Sequence, residues 1–111
     1  MIESKVIKYL SEKLAVPVFA EIQEKEYPSF CIIEKTGSSK TDYIESATIT
    51  VQSYSTSLFN ASLLNEDVKN AMDKFTEVEN ISEVSLNSDY NYTDTNTKKY
   101  RYQAVFNITF N

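Results

Sequence analysis

Apolar residues recur at three- and four-residue spacing from the start of the chain, at Ile2, Val6, Ile7, Leu10 and Leu14. Glu3, Lys5, Lys8, Glu12 and Lys13 fall mostly on the other side, so residues 2–14 read as an amphipathic helix. Pro17 ends it, because a residue before proline is pushed out of the helical region. Val18 to Ile22 then reads as a short edge strand, and Phe30 to Glu34 as a compact apolar one. Between them Glu24-Lys25-Glu26-Tyr27-Pro28 is a polar break. Thr36-Gly37-Ser38-Ser39-Lys40-Thr41-Asp42 holds the only glycine of the chain and reads as a turn with a flexible tip, joining two antiparallel strands.

The pattern then changes period. From Ile44 to Tyr54, Ala47, Ile49 and Val51 alternate with Thr48, Thr50 and Gln52, as in a half-buried strand rich in β-branched residues. Ser55-Thr56-Ser57 offers cap oxygens to a second helix over about Leu58–Phe75. Its apolar stripe is Ala61, Leu64, Val68, Ala71, Met72 and Phe75. Ile81 to Leu86 reads as a strand, Asn87 to Thr97 as a polar segment without a core pattern, and Lys99 to Phe110 as the cleanest strand. In that last strand Tyr100, Tyr102, Ala104, Phe106, Ile108 and Phe110 share a face. The expected architecture is α+β: a mainly antiparallel or mixed sheet of four to five strands, with two helices packed on one face. With 111 residues and no internal repeat, residues 1–111 are expected to form one domain.

Composition narrows the chemistry. There is no histidine and a single cysteine, Cys31. A nucleophile paired with an imidazole and a zinc site of Cys and His are both out of reach. No cofactor, no metal site and no enzymatic activity are expected. The formal net charge is −5, which disfavours nucleic acid as a partner, since that affinity comes largely from neutralising phosphates. No apolar run is long enough to span a membrane, and no leader-like apolar segment follows Met1. Sequons at Asn60, Asn80, Asn91 and Asn107 follow from a chain rich in Asn, Ser and Thr.

Other constellations fail on their missing parts. Asp89, Asn91, Asp94 and Asn96 lack the glycine and closing glutamate of a calcium loop. Thr36-Gly37-Ser38-Ser39-Lys40-Thr41 lacks the first glycine of a phosphate loop, and a strand follows it instead of a helix. Glu24 with Glu26, and Glu77 with Glu79, are solubilising acids in polar stretches. The unusual features are eight tyrosines without a tryptophan, and segregated charge. Tyr100 and Tyr102 fit the inner face of a strand; Tyr90 and Tyr92 stand in a polar segment, where tyrosine suits an interface. Glu77, Glu79, Glu83, Asp89 and Asp94 are followed at once by Lys98, Lys99 and Arg101, and unlike patches on one small domain suit head-to-tail association. The candidate interface residues are therefore Thr36, Gly37, Ser38, Ser39 and Lys40 in the first loop, and Asp89, Tyr90, Tyr92, Asp94, Lys98, Lys99 and Arg101 late in the chain.

Several stretches carry a resemblance along nearly the whole chain. They are Val16-Pro17-Val18-Phe19; Pro28-Ser29-Phe30 leading to Glu34-Lys35-Thr36-Gly37; Ala47-Thr48-Ile49-Thr50-Val51-Gln52-Ser53-Tyr54 before a helix with Ala61; and Leu86-Asn87-Ser88-Asp89-Tyr90-Asn91 through Tyr100-Arg101-Tyr102-Gln103-Ala104. In these residues and in element order the chain resembles the tail terminator, or tail completion, proteins of long-tailed bacteriophages and prophages of low-GC Gram-positive bacteria. The resemblance implies a virion protein, assembled in the host cytoplasm as a homo-oligomeric ring, usually of six copies. Such a ring caps the head-proximal end of the tail. It would stop polymerisation of the major tail tube protein and present a surface to the head–tail connector. Two rivals make different predictions. A head-completion or neck protein would bind filled heads instead of tails. A small module for a host protein would stay monomeric.

Overall fold

The structure, a computed structural model, describes all of residues 1–111. Helix α1 (Ile2–Lys13) is followed by β1 (Val18–Phe19), β2 (Phe30–Thr41), β3 (Ile44–Ser55), α2 (Leu58–Met72), a 3-10 turn (Phe75–Glu77), β4 (Ile81–Asn91) and β5 (Tyr100–Phe110). The five strands form one mixed sheet in the order β1-β2-β3-β5-β4. Only β1 and β2 run parallel; the other neighbours are antiparallel. The α+β class, the strand number and the packing of the helices against the sheet agree with the sequence pattern.

Alternation along the strands decides which face the helices cover. Cys31, Ile33, Ala47, Ile49, Val51, Ala104, Phe106 and Ile108 join Ile2, Val6, Tyr9 and Leu10 of α1 and Leu64, Val68 and Met72 of α2 in one core cluster. Burial on that scale is the main favourable term, at about 1.5–3 kcal/mol for each large apolar side chain. Tyr9 is the member that the spacing of apolar residues does not reveal. Its ring meets Phe75 edge-on at 5.0 Å, and its hydroxyl donates to the Ala71 carbonyl at 2.6 Å, tying α1 to the end of α2. Helix α2 starts where the sequence places it, because the Ser57 hydroxyl accepts from the Asn60 N–H at 3.1 Å.

Four boundaries differ from the sequence reading. The first strand ends at Phe19, short of Ile22. Helix α2 stops at Met72, and Phe75 belongs to the 3-10 turn that follows. Most consequentially, Thr36–Thr41 is no mobile tip: β2 continues to Thr41 against β3. Gly37 has no left-handed backbone; Thr36 is an extra residue in a bulge that shifts the register between Lys35 and Gly37. Likewise Asn87–Asn91 is the second half of β4, and only residues 92–99 form a connection to β5.

The true turn of the first hairpin is Asp42-Tyr43. Both residues have positive φ, 51° and 69°, as a two-residue hairpin turn that matches strand twist requires. Tyrosine is ill suited there, because its Cβ crowds the following carbonyl. The Tyr43 side chain is 89% exposed. Tyr43→Gly should therefore raise stability by about 0.5–1 kcal/mol, the relief of the left-handed strain less the added freedom of the unfolded chain. A urea midpoint that falls instead would show that the tyrosine ring supports the turn.

Candidate functional site

The residues singled out from the sequence divide between the two ends of the sheet. At one end the β2–β3 hairpin brings Lys40 opposite Glu45 and ends in Asp42-Tyr43. At the other end Phe30, Tyr54 and Arg101 lie side by side across β2, β3 and β5, next to the residue 92–99 connection. The molecule is 45 Å along its longest axis. An eleven-residue strand spans about 37 Å. The two groups therefore cannot form a single patch.

The second end has the richer chemistry. Its side chains stand on the sheet face that the helices leave uncovered. Pairing runs Phe19, Ile32, Gln52, Gln103 and Tyr90 in one row, and Phe30, Tyr54 and Arg101 in the next. Tyr92 extends that second row, because its N–H donates to the Arg101 carbonyl at 2.8 Å. Arg101 holds the array together. Its Nε donates to the Tyr92 carbonyl at 2.8 Å, and its Nη1 to the Tyr54 hydroxyl at 2.8 Å. The guanidinium lies 4.4 Å from the Tyr92 ring centre and 5.4 Å from that of Tyr54, within cation–π range. Tyr54 stacks on Phe30 at 4.6 Å with a 9° tilt. The Gln52 amide donates to Gln103 at 3.0 Å, and the Gln103 amide in turn donates to the Tyr90 hydroxyl. Tyr90 and Tyr92 meet edge-on at 5.9 Å while remaining 41% and 48% exposed.

Two of the remaining candidates, Asp89 and Asp94, have structural partners. Asp89 lies on the helix side, where it accepts from Lys69 Nζ at 3.0 Å and from the Asn65 amide at 2.9 Å. It is thus engaged by α2 and contributes no free charge to an acidic patch. The Lys69 ammonium is held above its ordinary pKa, first by its hydrogen bond to Glu66 and then by Asp89. Asp94 shapes the connecting turn: its carboxylate accepts from the N–H groups of Asn96 at 3.0 Å and Thr97 at 3.4 Å. Those contacts, Asn96 foremost, lower its pKa. Lys98 and Lys99 line a cleft of about 600 Å³ with Tyr27, Phe30, Tyr54 and Tyr100. Tyr100 thus takes part in a surface instead of the inner core.

Sequence reasoning missed Phe30, Tyr54, Gln52 and Gln103. Each occupies an alternating strand position that reads equally well as core or as surface. The signal was the coincidence of polar and aromatic residues on one parity of three strands, legible only once their pairing is known. No group of three or more Cys, Asp or Glu side chains converges as a metal site. No helix is long and apolar enough to cross a membrane. The Cys31 thiol is fully buried and its pKa is pushed up to about 12 by burial, so it is no nucleophile at neutral pH. What the arrangement offers is contact area at the exposed rings of Tyr90 and Tyr92, beside an arginine fixed in place by the buried Tyr54. No protein-family model matches the chain, and no curated protein matches it.

Proposed function

We propose that this chain is a structural, non-enzymatic virion protein that caps the head-proximal end of a phage tail tube as a ring. In that role it stops tube growth and offers a docking surface to the head connector. One observation carries this reading beyond the resemblance: two distinct projecting surfaces stand at opposite ends of one rigid sheet. The Asp42-Tyr43 hairpin tip is at one end and the Tyr92–Arg101 array at the other. A cap must meet a tube on one side and a connector on the other, and a stiff slab with unlike ends suits that task. Pre-ordered side chains lose little freedom on docking, so their contacts count nearly in full towards affinity.

The test is co-assembly with the tail-tube protein of the same phage. In its presence tubes should stop growing and carry a cap at one end, visible by electron microscopy. Tubes that lengthen without limit would sink the reading. Arg101→Ala should leave the protein folded but weaken docking at the array end at least tenfold. That is about 1.4 kcal/mol, within the range of a buried arginine at an interface centre. Equal affinity of variant and wild type for both the tube end and the connector would remove the array from the docking surface.

A further inference from the structure

The cleft beside the Tyr92–Arg101 array holds about 600 Å³, within the about 300–1,000 Å³ usual for ligand sites. The strand order sets its two flanks. Residues 20–29, between β1 and β2, form one; Lys98, Lys99 and Tyr100, leading into β5, form the other. Phe30 and Tyr54, from β2 and β3, lie between them. Tyr27, Phe30 and Tyr100 are half-buried, so each keeps ring surface open to the cleft they line. Ile22, in the same lining, is 54% exposed.

The mouth is basic although the chain is acidic. Lys25, Lys98 and Lys99 are exposed, and none takes part in a salt bridge; both salt bridges of the molecule belong to Lys69. Their ammonium groups are therefore free to meet a carboxylate. Lys25 lies over the Tyr27 ring at 5.2 Å, which sets one of these charges against the aromatic floor. The first flank also offers main-chain partners. Outside helices and strands, no backbone–backbone hydrogen bond involves any of residues 20–29. Such open N–H and C=O groups suit an extended chain laid alongside them. Nucleic acid fits worse, because Glu24 and Glu26 stand on that flank and would repel a run of phosphates.

We propose that this cleft receives an extended acidic segment of a protein partner. An aromatic side chain of the segment sits against Tyr27, Phe30 and Tyr100, and carboxylates on either side of it meet Lys25 on one flank and Lys98 or Lys99 on the other. The rings supply the contact area, and the lysines select for acid. This rests on the docking role proposed above and names the chemistry of the partner met at this end of the sheet.

The probe is a labelled peptide, Gly-Glu-Asp-Phe-Asp-Glu-Gly, added to the full chain. Its control carries amides in place of the four acidic side chains. Fluorescence anisotropy reads the affinity, and NMR amide shifts read the place. The expected result is saturable binding with shifts concentrated at residues 20–30 and 98–100, and a control at least ~10-fold weaker. Lys98→Gln combined with Lys99→Gln should weaken the acidic peptide about fivefold and leave the control unchanged. No binding at millimolar peptide, shifts elsewhere, or equal affinity of the two peptides overturns the proposal. So does an oligothymidine strand that occupies the same residues more tightly. Tube capping is scored separately on the wild-type chain. Capping without peptide binding keeps the docking role and removes this site; peptide binding without capping keeps the site and removes the cap.

Discussion

Phe75→Ala should lower the free energy of unfolding by about 3–5 kcal/mol, the usual cost of emptying a buried aromatic site. Phe75 is the largest fully buried side chain. It sits in the 3-10 turn after α2, so its ring closes the core where helix, turn and β4 converge. Removing it also takes away the edge-on partner of Tyr9 at 5.0 Å, a contact worth about 0.5–1.5 kcal/mol beyond its area. The site cannot collapse easily. Tyr9 is held by its hydrogen bond to the Ala71 carbonyl, and Met72 is itself fully buried nearby in the chain. A domain of this size has roughly 5–15 kcal/mol in total, so the variant should melt far below the wild type or fail to fold at 37 °C. Calorimetry checks this. A loss under 1 kcal/mol would mean that the turn is free to repack.

The second large effect is alkaline. Cys31 has no exposed surface, and burial raises its thiol from an ordinary 9.0 to about 12, against a smaller opposing effect of the Ser53 hydroxyl. Below pH 9 the thiol is neutral in both folded and unfolded chains, and its contribution is fully present. Between pH 9 and about 12 the unfolded chain releases this proton while the folded one keeps it, so stability falls. The slope is about 1.4 kcal/mol per pH step, or roughly 2–3 kcal/mol by pH 11. Tyr9, also raised by burial and then by Glu77, adds a loss of the same sign above pH 10. Cys31→Ala isolates the thiol. In urea titrations under reductant, the variant should lose stability less steeply than wild type from pH 9 upward. Parallel curves would show that the thiol is ionised in the folded state.

Helices and the closing strand were legible because their apolar periods, near 3.6 in α1 and α2 and 2 in β5, coincide with one buried face. The first hairpin was legible as two antiparallel strands, but the place of its turn was not. Thr36 to Asp42 is built of turn formers, yet pairing with the β-branched strand β3 holds it extended to Thr41, a case of neighbours overriding local preference. The actual turn carries Asp-Tyr where glycine would have announced it. Asn87–Asn91 looked like loop for a related reason. An edge strand with one uncovered face has few positions that must be apolar. Asp89 could not be recognised as engaged, since its partner Lys69 lies twenty residues away on another element. The array around Arg101 depends on the register of four strands, which no single segment encodes.

The strand order also bears on how the chain folds. Hairpin β2–β3 turns through two residues and β4–β5 through a short connection, so each can zip locally. The only sheet link between these halves is the β3–β5 ladder, from Glu45–Phe110 to Ser55–Tyr100, with α2 spliced between its strands. Closing it demands the longest loop, and non-local pairing of that kind sets the pace. Val51 and Ala104 stand opposite each other in its middle, both fully buried. The molecule is, kinetically, two quick ribbons waiting on one slow weld, and rate-limiting contacts are to be sought at that pair.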